Sequence, residues 1–342
     1  MIVIRPVSLN DLDRLFQLAK KVAPGMTTFP PDRAVLLNKI HASNSAFSMN
    51  VNKEDENAYL MVLENTETKE IMGTAGVYSN IGKESPFYTF QILSRCKHSF
   101  ETNNKVPSKT LHVVNEFTGD TEIGTLILDP DYRGHGYGKL IAKCRYMLIA
   151  QFSELFGSRL IAELRGWSDE KAISPFWESV GKHFFGGMSY DHADYLCATT
   201  NNQFIADLMP EYPIYIDLLP QEAKAVIGKP HNQGKPALQM LLNEGFRYEN
   251  FVDIFDAGPT VHAYIENVDT IKNSKIVTLT EFTESEKALT HCLVCNTAID
   301  NFKVTYIPVH ILLNGTVAIS VKAAEVLSVN LQDSIRIYPF SH

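Results

Sequence analysis

The sequence contains no run of about 20 apolar residues, so no membrane-spanning helix is expected. It has no excess of base: 31 Lys and Arg stand against 39 Asp and Glu, a net charge of −8, which argues against a nucleic-acid surface. Cysteine is scarce. Five in 342 residues (Cys96, Cys144, Cys197, Cys292, Cys295) do not frame a disulfide scaffold and point to a reducing cytoplasm. Met1-Ile-Val-Ile-Arg-Pro6 already reads as a strand, so no signal peptide is expected ahead of it. Metal motifs are missing too, with no His-Glu-x-x-His and no carboxylate cage. Cys292-Leu-Val-Cys295 has half of a zinc spacing, and His291 and His310 offer further ligands. With no second such pair, free cysteines in or beside a strand are the better reading.

What remains is an ordinary globular composition, 45% apolar and 20% charged, in a chain long enough for two domains. Ser8 looks like the N-cap of a helix carrying Leu9, Leu12, Leu15, Phe16, Leu18 and Ala19 on its apolar face. A turn at Pro24-Gly25, a second helix over 31–42 and a polar loop over 43–57 follow. Strands are expected over 58–64, 71–78, 87–94, 111–115, 122–128 and 160–164. From about Ser274 short β-rich runs dominate, with one short helix over 322–327, which is the composition of a small barrel or sandwich.

The most informative stretch is Thr125-Leu-Ile-Leu-Asp-Pro-Asp-Tyr-Arg-Gly-His-Gly-Tyr-Gly138. An apolar strand enters an acidic, proline-marked turn, then a glycine-rich turn, then an amphipathic helix. Glycines there allow positive φ and close backbone approach to a ligand, and successive N–H groups at a helix start suit a pyrophosphate. A tight strand-to-helix connection without a ligand would need no more than this. The spacing narrows the choice. No Gly-Lys-Ser/Thr follows, so it is not a P-loop, and it lacks the G-x-G-x-x-G and later acidic residue of a dinucleotide site. Arg133-x-x-Gly136-x-Gly138 instead resembles the R-x-x-G-x-G pattern of the GNAT superfamily of acyl-CoA N-acyltransferases. That resemblance makes Arg133, Gly134, Gly136 and Gly138 the expected coenzyme A-binding residues. Lys139 and Lys143, one turn apart, read either as a solvated helix face or as phosphate contacts.

Ser174-Pro-Phe-Trp…Phe185 and Gly234-Lys-Pro…Tyr248 each place a proline near a helix start and a glycine before aromatic residues. Two copies imply a partial duplication or an insertion between them.

Over essentially its whole length the chain resembles the arginine N-succinyltransferases. The stretches that carry this are Met1–Pro6, Thr125–Pro130, Ala162-Glu-Leu-Arg-Gly166, Ser174-Pro-Phe-Trp177, Leu208-Met-Pro210, Glu244-Gly-Phe-Arg-Tyr248 and Asp253-Ile-Phe-Asp-Ala-Gly-Pro-Thr260. The resemblance implies an α+β fold. A GNAT-like acyltransferase domain over 1–270 would hold a mixed, mainly antiparallel sheet flanked by helices, with a helical insertion at about 186–235. A small all-β, barrel-like domain would follow over 271–342. It also implies succinyl-CoA and L-arginine as substrates, no permanently bound cofactor or metal, and a homodimer or paired α and β subunits in the cytoplasm. By motif, Leu126 matches the succinyl-CoA-binding leucine and His231 the histidine proton donor.

Thioester aminolysis needs an unprotonated amine, a donor for the oxyanion and a proton for the leaving thiolate. Histidine suits the proton step; Glu122 and Glu116 are alternative acceptors. A guanidinium asks for a carboxylate, for which Asp191, Asp194, Asp253 and Asp256 are all open. Arg165 is a candidate for the succinyl carboxylate, and a structural salt bridge would explain it equally well. Two other readings stay open, an N-acetyltransferase of another amino acid or polyamine and a silent acyl-CoA-binding partner subunit.

Overall fold

The computed structural model describes residues 1–21, 29–284 and 289–340. The turn expected at Pro24-Gly25 lies outside them. Among the described residues the strands are β1 (Ile2–Pro6), β2 (Asn57–Asn65), β3 (Ile71–Ser79), β4 (Thr89–Ser99), β5 (Asn104–Val114), β6 (Thr121–Leu128), β7 (Arg159–Glu163), β8 (Ile214–Tyr215), β9 (Arg247–Val252), β10 (Pro259–Tyr264), β11 (Lys275–Phe282), β12 (Leu289–Cys295), β13 (Val304–Ile311), β14 (Val317–Ile319) and β15 (Ser334–Pro339). Hydrogen bonding runs β1-β2-β3-β6-β7-β10-β9-β4-β5-β8. Every pair in that run is antiparallel except β6 with β7, so the sheet is mixed and its one parallel pair is internal.

β2 shows why this sheet is covered on both faces. Tyr59, Met61 and Leu63 enter the core shared with helix Tyr137–Gln151. Leu60 and Val62, on the opposite face, pack with Leu15, Leu18, Leu36 and Ile40 of helices Leu12–Lys21 and Arg33–Phe47. Side chains alternate with period two, so one strand serves two cores.

β12, β15, β11, β14 and β13 close on themselves through a β12–β13 pairing and form a five-stranded barrel. β13 also pairs with β1 (Val3 opposite Thr305), so the barrel continues the main sheet. Cys292 and Cys295 are both buried, yet they belong to different clusters of the core. Residues three apart on a strand point to opposite faces, which keeps the pair from sharing a metal.

Two local expectations are corrected. Helix Arg33–Phe47 continues through the first residues of the expected 43–57 loop, because Ser43 is buried and its hydroxyl exchanges hydrogen bonds with the backbone of Leu60. The hairpin of β4 and β5 is paired out to Ser99 and Asn104, well beyond the expected strands. Its outer half is exposed, so no apolar alternation marks it in the sequence.

The two proline-marked segments also differ. After Ser174 comes a wide π-type turn at Trp177–Gly181 and helix Tyr190–Thr199. Only the second, helix Lys235–Asn243, leads directly into a strand, β9.

Candidate active site

β6 and β7 pair only at Thr121 with Leu160 and Glu122 with Ile161. Beyond Glu122 they separate, and a cavity of about 860 Å³ opens between them. A bulge in β6 directs what lines it. Thr125 has φ +50°, and the register against β3 breaks between Thr74 and Gly76. Ile123 therefore joins the core with helix Tyr137–Gln151, while Ile127 joins the opposite core. On an unbroken strand both would face the same way, four residues being an even step. The bulge takes Leu126 out of the pairing with β3 and past the last pair with β7, so its backbone borders the split. Tyr78 reaches across from β3 and hydrogen-bonds the Thr125 hydroxyl.

Asp129 terminates β6 and anchors the turn. It is buried, accepts from Arg14 Nη2 and Lys21 Nζ (both 2.8 Å), and caps the backbone N–H of Asp131. Burial alone would raise its pKa, but these bonds hold it below the ordinary carboxylate range. The turn then reaches Gly136, whose φ of +76° caps helix Tyr137–Gln151. That left-handed conformation is costly for any residue with a Cβ. The first N–H groups of the helix have no partner within it and point out of its start. Arg133 lines the cavity, whereas Gly134, Gly136 and Gly138 shape the turn that leads from its wall into the helix.

The opposite part of the wall is acidic. Glu122, Glu163, Asp194, Asp253 and Asp256 all line the cavity. Glu122 is pushed up to about 7 by burial, with the charge of Lys39 acting the other way. Burial, then Asp253, then Glu122 hold Glu163 well above the carboxylate range. Burial and Asp256 do the same to Asp253. Asp256 itself is committed to structure: it accepts from the N–H groups of Gly166 (2.7 Å) and Gly258 (2.8 Å) and from the Tyr190 hydroxyl (3.0 Å). The loop carrying Asp253 packs directly on residues 164–166; a Cβ at Gly258 would lie 1.9 Å from the Leu164 carbonyl oxygen.

His231 closes this region. Its backbone N–H donates to the Arg165 carbonyl (2.8 Å), and its ring Nδ1 accepts from the Gln233 backbone N–H (3.3 Å). An accepting Nδ1 places the proton of the neutral ring on Nε2. Burial and the neighbouring Arg165 charge lower its pKa, with Asp256 opposing, which favours the neutral ring. Arg165 lines the same wall and donates to the Ser168 hydroxyl (3.3 Å).

At the other end the cavity runs between helices Tyr137–Gln151 and Lys235–Asn243 to Tyr338, Pro339 and Phe340 of the barrel. Lys143 lines the cavity but is no solvated helix position. It is ion-paired with buried Glu244 and donates to Thr270 Oγ1 (2.8 Å), while Lys139 stays exposed on the wall. Glu244→Ala should cost about 3–5 kcal/mol of stability, because Lys143 would be left largely buried without its counter-charge. Denaturant unfolding checks this, and an unchanged midpoint would show that the pair stabilises nothing.

Of the expected residues, Leu126, Arg133, His231, Arg165, Glu122, Asp194, Asp253 and Asp256 share this wall. Glu116 does not; it is exposed and pairs with Arg159 (3.6 Å). Asp191 does not either; it is exposed in the first turn of helix Tyr190–Thr199. Glu163, Arg145, Tyr190, Tyr338 and Phe340 were not singled out from sequence. A carboxylate closing an apolar strand was the one available sign of Glu163.

Comparison with known proteins gives a consistent set. A family model described as the arginine N-succinyltransferase beta subunit matches residues 2–270, and a model of the C-terminal domain of that subunit matches residues 275–339. An arginine N-succinyltransferase of Enterobacter sp. is 39% identical over 98% of this chain and 97% of its own length. One from Escherichia coli is 40% identical over 90% and 89%. The structure of arginine/ornithine succinyltransferase subunit AI from Pseudomonas aeruginosa superposes with a TM-score of 0.90 at 30% identity, covering 100% of this chain and 99% of that one.

Proposed function

The chain belongs to the arginine N-succinyltransferase family, and on that premise we propose that it transfers succinyl from succinyl-CoA to the α-amino group of L-arginine in the cavity between β6 and β7. The observation that carries the placement is one wall holding both a backbone released by a bulge at Leu126 and the buried carboxylates Glu122, Glu163 and Asp253, whose pKa values burial holds up. The thioester carbonyl sits against the Leu126 N–H, which stabilises the oxyanion as the amine attacks. Glu122, with its pKa near neutrality, takes the proton that the α-ammonium must lose. The second proton, shed by the amine nitrogen as the tetrahedral intermediate collapses, passes by way of His231 to the departing coenzyme A thiolate, and the C–S bond breaks as the amide forms.

Arginine enters with its guanidinium toward Glu163 and Asp253, the two wall carboxylates least matched by positive charge. Arg165, beside His231, takes the free carboxylate of the succinyl group, a contact that acetyl-CoA has no means of making. Asp253→Asn should raise KM for arginine about 10–100-fold with KM for succinyl-CoA nearly unchanged, the loss expected for one charged hydrogen bond. A rise in both constants would point to a collapsed loop instead.

The pyrophosphate rests on the turn Gly134–Gly138, with Arg133 beside it. Gly136→Val should weaken coenzyme A binding at least tenfold, since the side chain both strains the left-handed backbone and occupies the space of the phosphates. Unchanged affinity would remove the turn from the site. The division into an acyltransferase unit ending near residue 270 and a β unit after it is supported by the two family models. Assembly from paired or identical subunits is supported by the naming of the Pseudomonas protein as a subunit.

The test is release of coenzyme A thiol from succinyl-CoA or acetyl-CoA, offered with L-arginine, L-ornithine or spermidine. Release confined to succinyl-CoA with arginine, or with arginine and ornithine, is the expected result. Release from acetyl-CoA alone would overturn the acyl assignment.

A further inference from the structure

We propose that the C-terminal barrel completes the coenzyme site, with Phe340 and Tyr338 forming the wall against which the adenine nucleotide end of the acyl-CoA packs. This rests on the acyl-CoA reading above. If the thioester lies at Leu126 and the pyrophosphate at the Gly134–Gly138 turn, the rest of the same cavity still has to be filled. That remainder runs along helix Tyr137–Gln151 to β15 and ends on Tyr338, Pro339 and Phe340. The amino acid occupies the acidic end, so the nucleotide is the part of the substrates left for it.

Two independent observations point to an anionic, aromatic ligand there. Arg145 is only 3% exposed, yet it has no carboxylate partner among the described residues. Its Nε donates to the Ala142 carbonyl (3.0 Å), and the side chain lines the cavity. A buried guanidinium is costly unless an anion meets it, and coenzyme phosphates supply one. Lys139, exposed on the same wall, adds a second cation.

The rings are held in place beforehand. Tyr338 is fixed by a hydrogen bond from its hydroxyl to Asp269, and Lys143 Nζ stands 4.7 Å from its ring centroid and 5.3 Å from that of Phe340. Phe340 meets Tyr306 edge-on at 5.7 Å. Such a rigid aromatic face suits a purine, which stacks without needing specific hydrogen bonds. The Lys143–Glu244 pair then gains a purpose beyond stability, since it joins helix Tyr137–Gln151 to the elements that position this face.

The test compares wild type with Phe340→Ala and with Phe340→Leu, which keeps apolar bulk but removes the ring. Calorimetric titration with coenzyme A should show Kd rising about tenfold in both variants. In turnover, the ratio of kcat/KM for succinyl-CoA over succinyl-pantetheine, which lacks the nucleotide, should fall by a similar factor. Unchanged Kd would overturn the proposal, as would equal losses for the two thioesters, because a structural defect spares neither. Should the wild-type protein succinylate nothing, the titration still decides whether the barrel binds the coenzyme, so the two readings fail separately.

Discussion

His231→Ala is expected to lower kcat about a hundredfold or more while leaving coenzyme A affinity nearly intact. The effect should be this large because the imidazole is arranged for one step. Its Nδ1 is occupied by the Gln233 N–H, so its only mobile proton lies on Nε2. Its depressed pKa keeps the resting ring neutral and makes the protonated ring a stronger acid, so a proton taken from the attacking amine passes readily on to the thiolate. Loss of this donor slows collapse of the tetrahedral intermediate, which must then expel a thiolate unaided. Steady-state kinetics and a coenzyme A titration check both halves; normal turnover would remove His231 from the chemistry. A KM rise without a kcat loss would make it a binding residue.

Glu122→Gln is expected to reduce kcat/KM by about two orders of magnitude and to abolish its acid limb. With the carboxyl at about 7, the wild-type rate should climb through neutrality as Glu122 loses its proton. The Gln variant has nothing to titrate there, so its profile should be flat across that range. Retention of the limb would assign it to another group, Glu163 and Asp253 being next in line.

Stability should move the opposite way. The folded pKa, about 7, lies above the ordinary 4.5, so the native state binds more protons between those values and stability falls as pH rises through them. The penalty is full above pH 7 and absent below about 4.5. Glu122→Gln should therefore raise Tm by a few degrees at pH 8 and by almost nothing at pH 4. A more stable, slower enzyme is what a carboxylate held ionisable for function predicts.

The barrel is no simple appendage to be cut away. Removing the chain from Ser274 would take β13 from β1 and strip Tyr338 and Phe340 from the cavity. Lost activity after that cut would not distinguish catalysis from folding, whereas single changes at Phe340 do.

Several features were readable along the chain because their causes are local. Arg133-x-x-Gly136-x-Gly138 could be placed on a strand, turn and helix, since positive φ and the unpaired first N–H groups of a helix depend on adjacent residues. The apolar run of β2, bounded by polar turn residues, and the change to short β-rich runs after Ser274 were equally visible. Leu126 and His231 came from likeness to a family, and spacing alone would have marked neither.

Tertiary structure decided what distant segments bring together. Asp253 raises the pKa of Glu163 from a position 90 residues away, and nothing near either one announces the other. Lys143 left the solvent for Glu244, and Asp191 and Glu116 dropped out of the site, for the same reason: a side chain's partners are set by packing, not by its neighbours in sequence. Local stereochemistry determined where a phosphate fits; only the closing of the sheet, the loop at Asp253 and the barrel decided what surrounds it.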